Sequence, residues 1–262
     1  KLIHLFDKNT FEHLASSTYQ GQGPDEITII GHVGIDETNR RFFVSDHGKL
    51  KIFAYDLDSV LTTPEYQPSV KIDMKKKLFP DDYLYLNDTL CIAKIIEPIG
   101  NNDYKPSVAR WNMATGEINP MPYEYPDLKK VRFIYAASAE HQLYVQCYTQ
   151  YDLMTICDFN GNLKCNIYGP KWVNEKTQTQ HYSLGVEFCG DKILALYSGG
   201  DHRTDAYYPT KFLVFDLNGN YLKTLETGYM ITDFCYDKEN NRLIINLNDE
   251  IQFTYLDLEG II

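Results

Sequence analysis

No run of 18 or more apolar residues occurs in this chain of 262, so no segment reads as a membrane-crossing helix. Basic side chains are also in short supply. Against 36 Asp and Glu stand 25 Lys and Arg, a net charge of −11 that repels a phosphate backbone unless a local patch reverses the field. The one basic run, Lys75-Lys76-Lys77, sits between apolar stretches and reads as a solvated loop or strand end, so no nucleic-acid partner is expected. Six cysteines (Cys91, Cys147, Cys157, Cys165, Cys189, Cys235) lie in or beside apolar strand runs, and none forms a CxxC pair. Zinc thus has no support from spacing. A G-x-S-x-G elbow, an H-E-x-x-H helix and a P-loop are all missing. No catalytic residue, metal or cofactor is assigned on these grounds.

What is present is apolar and aromatic. Hydrophobic residues make up 44% and aromatics 14%, with 21 Tyr and 13 Phe, which is ample for a core and skewed toward strand formers. No break in composition divides the chain, so a single domain over residues 1–262 is expected. The segment KFLVFDLNGNY at 211–221 shows the recurring unit: alternating apolar residues, an Asp-Leu-Asn-Gly turn, then another strand. Related hairpins place their turn residue at Asp7, Asp56, Asn112, Asp158, Asp216 and Asp257, at intervals of 49, 56, 46, 58 and 41 residues. That is the period of a four-stranded blade. Hairpins of this size are marginal alone and must bury their faces on one another, which radial stacking achieves. The expected fold is all-β, a six-bladed β-propeller with four-stranded antiparallel blades.

Six third-to-fourth-strand turns but only five first-to-second hairpins can be counted. The first blade is therefore read as incomplete at the N-terminus, its inner strands supplied by a segment of roughly 20–40 residues before Lys1. The alternative is a five-bladed ring in which residues 11–16 form the fourth strand of the last blade. The chain begins with Lys inside a strand-like run, so either a signal segment and more precede it or it is cut within a repeat.

The element Gly21-Gln22-Gly23-Pro24-Asp25-Glu26-Ile27, the recurrent apolar-run-Asp-x-x-Gly hairpins and the blade starts Pro80-Asp81 and Pro126-Asp127 resemble the TolB-like six-bladed propellers of bacterial cell-envelope proteins. The Gly-Gln-Gly-Pro element is also similar to NHL-type repeats. The likeness runs over essentially the whole chain. It implies the architecture and an extracytoplasmic address, periplasmic or lipid-anchored through a preceding segment, and it names no reaction.

In a propeller, second-to-third-strand loops and blade connections share one face. Here that face carries the long loops, 97–107, 170–180 and 199–209, whereas the opposite face has short connectors such as 36–39 and 218–220. Binding concentrates on long loops held by a rigid scaffold. The candidate ligand-binding residues are Asp46, His47, Asn102, Asp103, Tyr104, Trp172, Asp201, His202, Arg203 and Tyr207, a polar and aromatic rim suited to a peptide, a carbohydrate or a protein partner. Ordinary solvated loops account for the same residue types. A non-catalytic binding propeller is the leading reading. The alternative is a channel-metal-dependent hydrolase or lyase, which needs inward carboxylates and amides; His32, Glu187 and Asp233 are its few inner-strand candidates. Counted from the turns near Asp152 and Asn160, Cys147, Cys157 and Cys165 fall roughly level on three adjacent strands. They are expected to be small buried hydrophobes.

Overall fold

The computed structural model describes residues 1–262 except 75–76, 101–102 and 127. Lys75, Lys76, Asn102 and Asp127, named above, lie outside the described residues. The chain divides into two compact units, Lys1–Pro120 and Met121–Ile262.

In the first unit β1 (Ile3–Phe6) and β2 (His13–Ser17) form a hairpin. Then β3 (Ile30–Asp36), β4 (Arg41–Asp46), β5 (Lys51–Asp56) and, after helix α1 (Leu57–Thr62), β6 (Ser69–Asp73) make a four-stranded antiparallel meander. A second meander follows from β7 (Phe79–Asn87), β8 (Leu90–Gly100), β9 (Asp103–Trp111) and β10 (Ile118–Pro120). The second unit repeats the plan with β11 (Phe133–Ser138), β12 (Leu143–Tyr148), β13 (Leu153–Asp158) and β14 (Leu163–Tyr168), and again with β15 (Thr179–Cys189), β16 (Lys192–Asp201), β17 (Lys211–Asp216) and β18 (Tyr221–Glu226). It closes on three strands, β19 (Ile231–Asp237), β20 (Arg242–Leu247) and β21 (Phe253–Asp257). Thus β2 pairs with β1, and the last sheet has three strands among the described residues, without residues 11–16 as a fourth.

The turns form because an aspartate satisfies backbone that the ladder leaves open. Asp216 accepts from the N–H groups of Asn218 and Asn220 at 2.8 Å each, and its other oxygen accepts from Asn220 Nδ2 at 2.8 Å. Asp158 makes the same bonds to Asn160 and Asn162. The glycine between them takes positive φ, +79° at Gly161 and +84° at Gly219, where a side chain is strained. A second signature closes first-to-second-strand hairpins: Asp36 accepts from Asn39 and Arg41, and Asp237 from Asn240 and Arg242.

Packing explains why some strands read as unbroken apolar runs. On β16, Ile193, Ala195 and Tyr197 join one core with Val145, Ile156 and Val186, while Leu194 and Leu196 face a second core with Phe212, Phe234 and Leu243. Alternate side chains serve opposite neighbours, so both faces are buried. In the first unit Phe43, Ile52, Tyr83, Ala93 and Trp111 play the same part between its two meanders.

Four expectations are corrected. Residues 57–62 form a helix where a hairpin turn was expected at Asp56, because Asp56 caps it by accepting from the Ser59 N–H at 2.8 Å. Residues 97–107 are not a long loop: β8 and β9 stay paired through Glu97↔Lys105 and Pro98↔Tyr104. Pro98 and Pro106 are tolerated there because β7 stops pairing β8 at Ile96 and β10 pairs β9 only at 109–111, so the hairpin overhangs its sheet. In the same way β15 and β16 remain paired as far as Thr179↔Asp201, and a short 3-10 turn, Asp205–Tyr207, fills much of the loop expected at 199–209. Finally, Cys147, Cys157 and Cys165 are not level. Their partners across the ladder are Met154, Tyr144 and Ile156. A three-residue offset sends Cys157 to the opposite face, whereas Cys147 and Cys165 meet in one core. All six cysteines are free thiols, four of them buried.

Candidate functional site

The candidate residues fall into two sets, one in each unit. In the first unit, Asp46 ends β4 fully buried and accepts from the N–H groups of Thr28, Ile29, Gly48 and Lys49. Burial pushes its carboxyl up, but those four bonds outweigh it and leave it lowered. Asp46 is a structural anchor for the chain entering β3. The His47 ring lies edge-on to Phe79 at 5.6 Å and so close to Gly31 that a Cβ there would meet Nε2 at 2.4 Å. Asp103 opens β9 and accepts from the Tyr104 N–H at 3.0 Å. Asn102 is outside the described residues.

In the second unit, Arg203 donates to both oxygens of Asp201, at 3.0 and 2.6 Å, and its backbone N–H adds a third bond. Together these hold the Asp201 carboxyl well below the usual carboxylate range. His202 Nδ1 lies 2.9 Å from the Gln178 carbonyl oxygen, and the Tyr207 and Tyr208 rings pack at 4.2 Å. This loop satisfies itself. Trp172 is placed differently, at the heart of an aromatic group: Tyr168 at 5.0 Å, Tyr125 at 5.9 Å and Tyr151 at 6.4 Å.

Beside that group lies a cavity of about 540 Å³ that takes in Asp152, Lys171, Tyr197, Lys211 and Tyr221. Asp152 is 1% exposed. Its Oδ2 accepts from the Lys171 N–H at 2.9 Å, but among the described residues its buried Oδ1 has no donor within hydrogen-bonding distance. His181 Nδ1 is 3.7 Å away and shares a 3.2 Å hydrogen bond with the Tyr197 hydroxyl instead. Thr177 Oγ1 stands 3.4 Å from the other ring nitrogen. Burial favours the neutral imidazole and lowers the His181 pKa; Asp152 pulls it back up, and Lys171 lowers it further. Tyr197 is raised, by burial first and by the Asp152 charge second. Gly169 permits the whole arrangement, since a Cβ there would sit 2.2 Å from the Asp152 carboxylate.

A second cavity, of about 590 Å³, lies in the first unit against residues 23–26 and the end of α1. Its loop is internally satisfied. Lys49 donates to the carbonyls of Gly23 and Glu26, and Glu26 accepts from the Gly23 N–H at 2.7 Å. Among the described residues, none of the buried polar atoms left without a partner lines it. Also among the described residues, no three His, Cys, Asp or Glu side chains converge as metal ligands. His32, one of the inner-strand candidates, is paired with Asp82 at 3.0 Å.

Among the described residues, five sheets of three or four antiparallel strands, each joined in sequential order, accompany the β1–β2 hairpin. Residues 4–89 match a family model, DUF5128, described as a 6-bladed beta-propeller. The fold is a β-propeller.

No curated protein sequence matches this propeller. Solved structures do resemble it. One is described as the "extracellular domain of the putative one component system BT4673 from B. thetaiotaomicron", at 12% identity and a TM-score of 0.59, covering 98% of this chain and 31% of that one. Another is a member of the DUF4221 family from Bacteroides vulgatus, at 12% identity and a TM-score of 0.61, covering 97% and 86%. A "putative hybrid two component system" extracellular domain, also from B. thetaiotaomicron, reaches 0.55 at 11% identity, covering 99% and 31%. This chain therefore spans about a third of the first structure's length. Likeness at such identities speaks to the fold alone. Among the described residues no helix is long and apolar enough to cross a membrane.

Sequence reasoning had marked Trp172 but missed Asp152, His181 and Tyr197. Asp152 read as a turn residue, and His181 and Tyr197 sit in β15 and β16. No spacing links the three, because the contact depends on how the β11–β14 and β15–β18 sheets stack.

Proposed function

We propose that this chain is an extracytoplasmic propeller that binds a small ligand, with the cavity beside Trp172 as its site and residues 1–262 acting as one domain. One observation carries the reading: among the described residues a carboxylate oxygen, Asp152 Oδ1, is buried at a cavity wall without a donor. A buried acceptor left unpaired costs on the order of 1–3 kcal/mol, which a ligand donor would recover. The extracellular description belongs to the structural neighbours, and the TolB-like resemblance of the hairpins and of residues 21–27 supports an address outside the cytoplasm here. Aromatic rings with a few convergent polar groups are the usual composition of a ligand cavity.

The test is a thermal-shift screen of monosaccharides, sugar acids, amino acids and dipeptides against the wild-type chain and Thr224→Trp. Thr224 lines the cavity from β18, and a Trp there takes up cavity volume while suiting a strand. A compound that raises the Tm of the wild type but not of the variant is the expected result, since a native-state ligand must stabilise. No such compound, or shifts unaffected by Thr224→Trp, would refute the site.

A further inference from the structure

Resting on that site, we infer that its ligand is a small polyhydroxylated carboxylate, of the sugar-acid class. The first ground is charge. In a chain of net charge −11, Lys171 and Lys211 both reach the cavity, and among the described residues neither has a carboxylate partner. The Lys171 ammonium comes within 3.6 Å of the point a Cβ on Gly199 would occupy. Lys211 Nζ lies 5.8 Å from the Tyr197 ring centroid. Two ammonium groups against low-dielectric walls favour an anion, and a carboxylate accepts charge-assisted bonds from both.

The second ground is the opposite end of the hydrogen-bond inventory. Asp152 Oδ1 needs a donor and His181 beside it is held neutral, so this wall asks for a group that brings a proton. A hydroxyl fits. It has one hydrogen to give and lone pairs that can accept from neighbours, whereas an ammonium would need three acceptors and would face two lysines. The third ground is shape. Tyr168 and Tyr221 line the cavity while remaining 49% and 57% exposed, and their rings are oriented by hydroxyl contacts to Tyr125 at 3.3 Å and Thr224 at 2.8 Å. Steered, half-open aromatic faces suit the C–H face of a sugar ring, and about 540 Å³ accommodates a single ring with its substituents.

The experiment is calorimetric titration of the full chain with galacturonate, with galactose, which lacks the carboxylate, and with benzoate, which lacks the hydroxyls. Galacturonate is expected to bind at least about tenfold more tightly than either control. Lys171→Met combined with Lys211→Met should abolish the preference over galactose, and Asp152→Asn should abolish the preference over benzoate. The lysine pair is surface-reaching, so those variants remain informative if Asp152→Asn fails to fold. Equal binding of galacturonate and galactose, or a preference that survives loss of both lysines, overturns the inference. If no sugar acid binds while another compound in the screen shifts the Tm in a Thr224→Trp-sensitive way, the ligand class is wrong and the site stands. If nothing binds, both fall.

Discussion

At the scale of single residues, the chain is held in register by aspartates that act as backbone caps. Asp36 shows what one of them contributes. It is 4% exposed and receives bonds from Asn39 Nδ2 at 2.9 Å and the Arg41 guanidinium at 2.7 Å. Burial pushes its carboxyl up, but the bonds from Asn39 and Arg41 outweigh it, so its folded value lies below the ordinary 3.8. A carboxyl lowered in this way contributes stability that is complete above its unfolded value and is lost as pH falls through the folded one. Asp36→Asn should therefore cost about 1–3 kcal/mol at neutral pH in urea unfolding. The gap between variant and wild type should narrow below about pH 4. A gap that stays constant from pH 7 to pH 3 would show that the charge plays no part.

At the scale of elements, turn geometry and strand packing decide separate things, and two glycines tell them apart. Gly161 closes the β13–β14 turn at φ +79°, and a Cβ there would lie 2.3 Å from Pro122 Cδ. Gly190, between β15 and β16, also has positive φ, +58°, yet nothing stands within 4 Å of its Cβ position. Gly190→Ala should lose about 1 kcal/mol from backbone strain alone. Gly161→Ala should lose about 2–4 kcal/mol, because strain and a clash with a rigid proline ring add. Equal losses in denaturant titrations would mean that the Pro122 contact moves away at no cost. Strand extent was only partly legible at this scale. The apolar alternation on either side of Asp216 located β17 and β18, whereas Pro98 and Pro106 hid the continuation of β8 and β9. Proline forbids a ladder only where a neighbouring strand needs its N–H, and that depends on where β7 stops beside β8 and where β10 starts beside β9.

At the scale of the whole molecule, no single sheet can account for its own stability. The residues of β16 face two cores on opposite sides, so removing either neighbour would expose a continuous apolar face. For one domain over residues 1–262, calorimetry should show a single endotherm with equal calorimetric and van't Hoff enthalpies. Two resolved endotherms, recovered separately from the fragments 1–120 and 121–262, would mean that the compact units fold on their own.

By itself the sequence determined what depends on near neighbours along the chain. The Asp-x-Asn-Gly-Asn turns, the period-two strands and their return every fifty or so residues are local properties, and they were sufficient for the propeller. The tertiary structure decided which polar groups are left over. Asp152, His181 and Tyr197 are ordinary turn and strand residues one by one; stacking the β11–β14 sheet on the β15–β18 sheet removes water from all three and leaves one carboxylate oxygen without a donor. Desolvation is a property of neighbours in space, and for that reason the candidate site could not be read from spacing along the chain.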